Sequence, residues 1–239
     1  LEVLKLTYGL DSNFDIQGQY PIIIDSTESE KVNLKSNFKN INMSFFTQFS
    51  KIWKDNLFGT FTGEFNMGGT TKRTIFDING KIDNTFYKGV PLGTVKWTGN
   101  YRNKTLTFDQ FTSDWSENHI SGSAILPIVY DLAETEKTWH SERELLVKTE
   151  GSFSSAVFLS TFLAETDSIV GDINIKLNIR GPTNSLIRDG EISIEDGSIY
   201  TILMDEPVKN ISASATLSDN IMEISLFNST IDDSDLKKK

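Results

Sequence analysis

Apolar and polar residues alternate with a period of two along most of the chain. The clearest run is Ile173-Asn174-Ile175-Lys176-Leu177-Asn178-Ile179, four aliphatic side chains separated by Asn and Lys. Such alternation sends one set of side chains to each face of a β-strand. Ile211-Ser212-Ala213-Ser214-Ala215-Thr216-Leu217 repeats it with small residues, Asp219-Asn220 supplies a turn, and Met222, Ile224 and Leu226 resume it. In the first half the same reading joins Phe61, Phe65 and Met67, then Phe76, Ile78 and Ile82, then Val95, Trp97 and Tyr101. Gly, Asn, Asp and Ser cluster between these runs at roughly ten-residue intervals, the spacing of hairpin turns. The pattern predicts an all-β, mostly antiparallel meander.

Three stretches break the alternation. Residues 44–53 place Phe45, Phe46, Phe49, Ile52 and Trp53 at helical spacing behind Ser44, a residue type suited to a helix cap. Residues 154–163 do the same with Phe158, Leu159, Phe162 and Leu163. Two short helices are therefore expected, each too short to persist unless packed on a sheet. The polar stretch 133–143 reads as a loop or hairpin tip.

These features recur in order, as an internal repeat would make them do. Phe45–Trp53 is followed by Gly59, Gly80, Pro91 and Phe111, and Phe158–Leu163 by Gly171, Gly190, Pro207 and Phe227. Gly59 and Gly171 are 112 residues apart, Gly80 and Gly190 110, and the last two pairs 116 each. Upstream, Gly18-Gln19-Tyr20-Pro21-Ile22 resembles Gly122-Ser123-Ala124-Ile125-Leu126-Pro127-Ile128. The expected organisation is one repeat over 1–113, with its helix near 44–53, and a second over 114–232, with its helix near 154–163. A charged stretch, 233–239, ends the chain.

Composition narrows the function classes. Of 239 residues, 38% are hydrophobic and 23% charged, a globular balance, and no run approaches the ~18 apolar residues of a membrane-crossing helix. The first residues, Leu1-Glu2-Val3-Leu4-Lys5-Leu6, read as a strand and not as a secretion signal, so a segment of a longer protein is expected. A formal charge of −10 leaves no basic stripe for nucleic acid and disfavours adsorption to anionic lipid. With no cysteine, thiolate metal sites and disulfides are excluded.

Catalytic patterns are missing as well. His119 and His140 lie in polar stretches without metal-ligand spacing, and no Gly-x-Ser-x-Gly elbow occurs. Gly68-Gly69-Thr70-Thr71-Lys72-Arg73 lacks the spacing of a phosphate-binding loop and reads as a hairpin turn. No pair of carboxylates is marked out for acid–base work. Asn42, Asn103, Asn210 and Asn228 begin glycosylation-type triplets of the kind that chance supplies in an Asn- and Ser-rich chain. No enzyme activity, cofactor or metal is expected.

The second repeat contains Gly171-Asp172-Ile173-Asn174-Ile175, Ile179-Arg180-Gly181-Pro182, and Asp189-Gly190-Glu191-Ile192-Ser193-Ile194-Glu195-Asp196-Gly197-Ser198-Ile199. It closes on Val208-Lys209-Asn210-Ile211-Ser212-Ala213 and Leu217-Ser218-Asp219-Asn220-Ile221. This succession of glycine-opened strands and an Asn-Ile strand resembles the C-terminal repeats of the TamB branch of the AsmA-like envelope proteins. The first repeat keeps Gly59, Gly69, Gly80 and the strand at Val95–Tyr101, and has Asp83-Asn84 where the second has Asp196-Gly197.

The resemblance implies an elongated, curled, taco-like sheet with an open hydrophobic groove. It also implies a periplasmic place in a protein anchored to the inner membrane of a Gram-negative envelope. Its activity would be phospholipid transport between inner and outer membranes, or outer-membrane biogenesis. Phospholipid acyl chains, an outer-membrane β-barrel and flanking repeats of the same chain are the partners it implies. The groove would shield a cargo whose exposure costs about 0.8 kcal/mol per CH₂, on the order of 12 kcal/mol for a sixteen-carbon chain.

Phe61, Phe65, Met67, Phe76, Ile78, Val95 and Trp97 would line the groove in the first repeat. Ile173, Ile175, Leu177, Ile179, Ile192, Ile194, Ala213, Ala215, Leu217, Met222, Ile224 and Leu226 would line it in the second. Alternation alone leaves another architecture open. A closed β-sandwich would bury the same residues and serve as a structural or adhesive module binding protein or glycan through its loops.

Overall fold

The structure is a computed structural model that describes residues 4–8, 11–21, 29–47, 56–129, 138–139, 142–155, 166–201, 206–219 and 221–230. Among these, the first strands are β1 (Leu4–Tyr8), β2 (Ser12–Gln19) and β3 (Asn33–Asn42), followed by the short helix α1 (Ser44–Thr47). Then come β4 (Leu57–Thr70), β5 (Arg73–Tyr87), β6 (Val90–Arg102), β7 (Thr105–Trp115), β8 (Asn118–Leu126), β9 (Ile128–Val129) and β10 (Thr138–Trp139). The series ends with β11 (Glu144–Ser155), β12 (Thr166–Pro182), β13 (Ile187–Thr201), β14 (Val208–Ser218) and β15 (Ile221–Thr230). Thirteen strands form one open sheet, in sequence order from β1 at one edge to β15 at the other. Only β9 and β10 stand aside, as a two-stranded ribbon.

Two compact units divide the chain. One comprises Leu1–Trp115, Gly122–Val147 and Arg180–Leu186, the other Ser116–Ser121, Lys148–Ile179 and Ile187–Lys239. In the first unit, β4, β5, β6 and β7 are joined by two-residue hairpins, with Thr70 paired to Arg73, Tyr87 to Val90 and Arg102 to Thr105. Lys88-Gly89 and Asn103-Lys104 both have positive φ at each residue, the primed turn whose twist matches the flanking strands. The Gly68–Arg73 stretch is the β4–β5 hairpin, as its lack of phosphate-loop spacing predicts.

Extra residues are absorbed by bulges. The ladder slips at Asn40 in β3, Gly59 in β4 and Asn84 in β5, and these have φ of 54°, 143° and 52°. A Cβ on Gly59 would lie 2.4 Å from Ile82 Cγ2, so that bulge requires glycine. In the second unit slips fall at Asp196 and Asn210, with φ of 50° and 51°, and others between Gly197 and Ile199 and between Ser214 and Ala215.

The first unit centres on Val32, Met67, Phe76 and Tyr101, with Leu34, Phe65, Ile78 and Leu106 packed around them. Tyr101 is 2% exposed and its ring stacks on Phe76 at 4.8 Å. The second unit centres on Phe153, Ile169 and Ile173, with Ile120, Ile175, Ile194 and Ile199 packed against them.

The expected pair of helices is corrected. α1 covers four residues, and 48–53 lie outside the described ones. Its cap is Asn42, whose Oδ1 accepts the Ser44 N–H at 2.9 Å, and not Ser44 itself. The second expected helix begins at Ser154 and Ser155, which end strand β11, while 156–163 lie outside the described residues. Ser154 and Ser155 join the ladder because extending an existing strand avoids the cost of nucleating a helix. Of the stretch read as loop, Thr138 and Trp139 form β10, paired with Val129 and Ile128.

Tyr101→Ala removes the most enclosed ring of the first unit and is expected to cost about 3–5 kcal/mol. Urea unfolding measures it, and a loss below about 1 kcal/mol would show that this cluster is not the unit's core.

Candidate functional site

Residues directly opposed in an antiparallel ladder share a face of the sheet. Across β3–β7 the register therefore writes four rows on one face. They are Leu34–Met67–Phe76–Tyr101–Leu106, Ser36–Phe65–Ile78–Gly99–Phe108, Phe38–Gly63–Gly80–Trp97–Phe111, and Ile41–Phe61–Ile82–Val95–Ser113. β2 adds Phe14 opposite Phe38 and Ile16 opposite Ser36. All seven residues expected from the first repeat, Phe61, Phe65, Met67, Phe76, Ile78, Val95 and Trp97, lie on this face.

The alternate rows are polar, for example Asn37–Glu64–Asn79–Thr98–Gln110 and Lys35–Asn66–Asp77–Asn100–Thr107. Arg102 reaches Asp77 at 2.7 Å and Lys81 reaches Asp83 at 2.6 Å on the hydrophilic side. Solvent exposure makes each such pair a small contributor.

The third apolar row carries a glycine pair, and the rings explain it. A Cβ on Gly80 would lie 2.7 Å from the Phe61 ring and 3.0 Å from Trp97, and one on Gly63 2.9 Å from Phe61. Phe61 and Trp97 therefore lie down over the bare backbone, stacked at 5.8 Å with 9° between their planes. Phe38 continues the line to Phe61 at 5.4 Å and stacks on Phe14 at 4.6 Å. Phe46 of α1 stands edge-on to both Phe38 and Phe61. Phe61, Phe65, Ile78, Val95 and Trp97 are partly buried, Phe65 and Ile78 against the enclosed cluster.

In the second unit, the register aligns Ile192 with Ala215 and Ile224, Ile194 with Ala213 and Phe227, and Leu217 with Met222. Leu177 lies against Gly190, itself opposite Leu217, and Ile175 packs with Ile173. Ile179 continues the β12 alternation and is half-buried. Leu226 does not follow its expected partners. A slip between Ser214 and Ala215 pairs Leu226 with Ser214 and puts Phe227 opposite Ala213. At the β15 edge Ile224 is 65% exposed.

Sequence reasoning missed Phe14, Ile16, Leu34, Phe38, Leu106, Phe108 and Phe111. The signal was present in Asn33-Leu34-Lys35-Ser36-Asn37-Phe38-Lys39, the same period of two with a serine in one apolar place.

In the second unit lies a hollow of about 240 Å³, lined by Asn174, Lys176, Glu191, Ile192, Ser193, Ser214, Ala215, Thr216 and Ser225. Among the described residues no group of three or more His, Cys, Asp or Glu is placed to hold a metal, and no helix is long and apolar enough to cross a membrane. Compared with protein-family models, curated proteins and solved structures, the chain matches none.

Val95 and Lys96 are neighbours on opposite faces, so they separate the two surfaces cleanly. Val95→Asp is expected to abolish most Nile red fluorescence of the folded chain, and Lys96→Asp to leave it intact. Equal dye binding by the two variants would show that the half-buried face is not accessible.

Proposed function

We propose that this chain is a lipid-shielding segment whose apolar sheet face holds phospholipid acyl chains. In this reading it works within a periplasmic, inner-membrane-anchored protein of the TamB/AsmA-like kind, in phospholipid transport between membranes or in outer-membrane biogenesis. The observation that carries the reading is the apolar face of β2–β7, interrupted by Ser36 and Ser113, polar behind and partly buried in front. An alkyl chain takes only apolar contact, and four parallel rows of Phe, Ile, Leu, Val and Trp supply it without any polar anchor. The glycine-opened repeat phrase and its resemblance to envelope proteins support the same reading.

Matched backbone features support the duplication behind it. Gly59 and Gly171 have φ of 143° and 140°, and Asn84 and Asp196 have φ of 52° and 50°. Both pairs are 112 residues apart in the sequence. The sandwich alternative needs a second sheet to cover the apolar face, and the described strands form one thirteen-stranded sheet and a two-stranded ribbon.

Ile175→Asp is an unsuitable probe because Ile175 packs against the core of its own unit. Phe111→Asp combined with Ile224→Asp places one charge on each unit's apolar face at less enclosed positions. Mass spectrometry of lipid extracted from the purified chain is expected to find phospholipid. The double variant should lose it while Gln110→Asp, on the polar face, keeps it. A well-folded chain free of lipid, or a double variant that retains it, would falsify the reading.

A further inference from the structure

The strands of the first unit end differently at their two extremities. β4 begins, β5 ends, β6 begins and β7 ends at one extremity, and α1 follows β3 there. Phe45, Phe58, Phe86 and Trp115 all lie at this end, exposed by 47%, 52%, 44% and 37%. Phe58 is directly opposite Phe86, which is opposite Pro91. The other extremity carries the turns Thr71-Lys72 and Asn103-Lys104, and Tyr20 is its one exposed aromatic residue among those described. Single exposed rings are ordinary on a protein surface, whereas several gathered at one end mark a docking surface.

We infer that this aromatic end docks onto the surface of a zwitterionic phospholipid bilayer. Phe and Trp rings suit the boundary between headgroups and acyl chains. Lys88 is placed in the manner of an interfacial lysine, its ammonium 5.6 Å from the centroid of the Tyr87 ring. A chain of net charge −10 is repelled by anionic lipid, so the attraction must come from the rings. The end is also continuous with the apolar face. Phe45 stands edge-on to Phe46, Phe46 to Phe61, and Phe61 stacks on Trp97. This inference rests on the lipid-shielding reading, since an acyl chain leaving the bilayer here would meet the apolar face without crossing water.

Flotation of the 239-residue chain with phosphatidylcholine vesicles at near-physiological salt tests it. The wild type is expected to float. Phe58→Ser with Phe86→Ser is expected to weaken binding roughly tenfold or more, from the apolar transfer energy of two rings. Phe45→Ser with Trp115→Ser is an independent pair should the first fail to fold. Both pairs should still co-purify with phospholipid, and adding phosphatidylserine to the vesicles should weaken binding.

A wild type that stays at the bottom of the gradient overturns the docking inference, as do variants that float like the wild type or tighter binding to anionic vesicles. A ring-dependent dimer that ignores vesicles also overturns it and assigns the end to a second copy. Lipid co-purification without flotation removes the docking surface and leaves the lipid-shielding reading standing. Ring-dependent flotation without co-purifying lipid keeps the docking surface and removes that reading.

Discussion

Everything in this fold depends on register. Side chains alternate with a period of two, so a slip of one residue in any pair would carry a whole strand's apolar set to the hydrophilic side. The ladder keeps face through β3–β7 because each surplus residue is confined to a bulge. Asn40, Asn84, Asp196 and Asn210 take left-handed backbone at such points, and Asn and Asp tolerate that conformation better than other residues with a side chain. After each slip, the next apolar residue resumes its place opposite an apolar partner, as Ile41 does opposite Phe61 and Ala213 opposite Phe227.

This dependence explains what could be read from the sequence. Strand identity and the division into faces were legible because both follow from alternation, which Ile173–Ile179 and Phe76–Ile82 display openly. The hairpin at Gly68–Arg73 was legible from turn chemistry. Bulges were not, since one inserted residue is invisible until its partner is known. Strict alternation through Met222, Ile224 and Leu226 therefore selected Leu226 where the paired strand selects Phe227. The helices were overread because clustered aromatics fit either period over a short stretch. Phe46 owes its position to Phe38 and Phe61 beneath it more than to helix formation. The missed strands β2 and β3 mix Ser36 and Gly18 into the apolar set, which lowers the contrast on which a pattern reading relies.

A single sheet with one apolar face differs energetically from a closed sandwich. Full burial of a Phe, Leu or Ile side chain is worth roughly 1.5–3 kcal/mol, so side chains left at most about a third exposed each forgo roughly 0.5 kcal/mol. Over about a dozen such side chains the forgone stabilisation is on the order of 5 kcal/mol, comparable with the net stability of a marginal domain. A ligand that covers this surface binds the folded chain and not the unfolded one, and so stabilises the fold by mass action. Openness is thus a cost in isolation and a store of binding energy when an apolar partner arrives.

The dimensions of the rows suit the acyl chain proposed as their partner. Rows run across the strands, so β3–β7 give four steps of about 4.8 Å, roughly 19 Å in all. One leaflet of a bilayer's hydrocarbon core is about 15 Å deep, so a single acyl chain is matched in length by one row. Neighbouring rows are two residues apart along a strand, roughly 7 Å, which leaves room for two chains side by side. Because glycines at 63, 80 and 99 leave room for rings in the middle rows, the surface there is broad, with Ser36 its one polar side chain. In the proposed reading an alkyl chain would meet similar energy at any point along a row, and a contact that prefers no point is one along which a lipid can move.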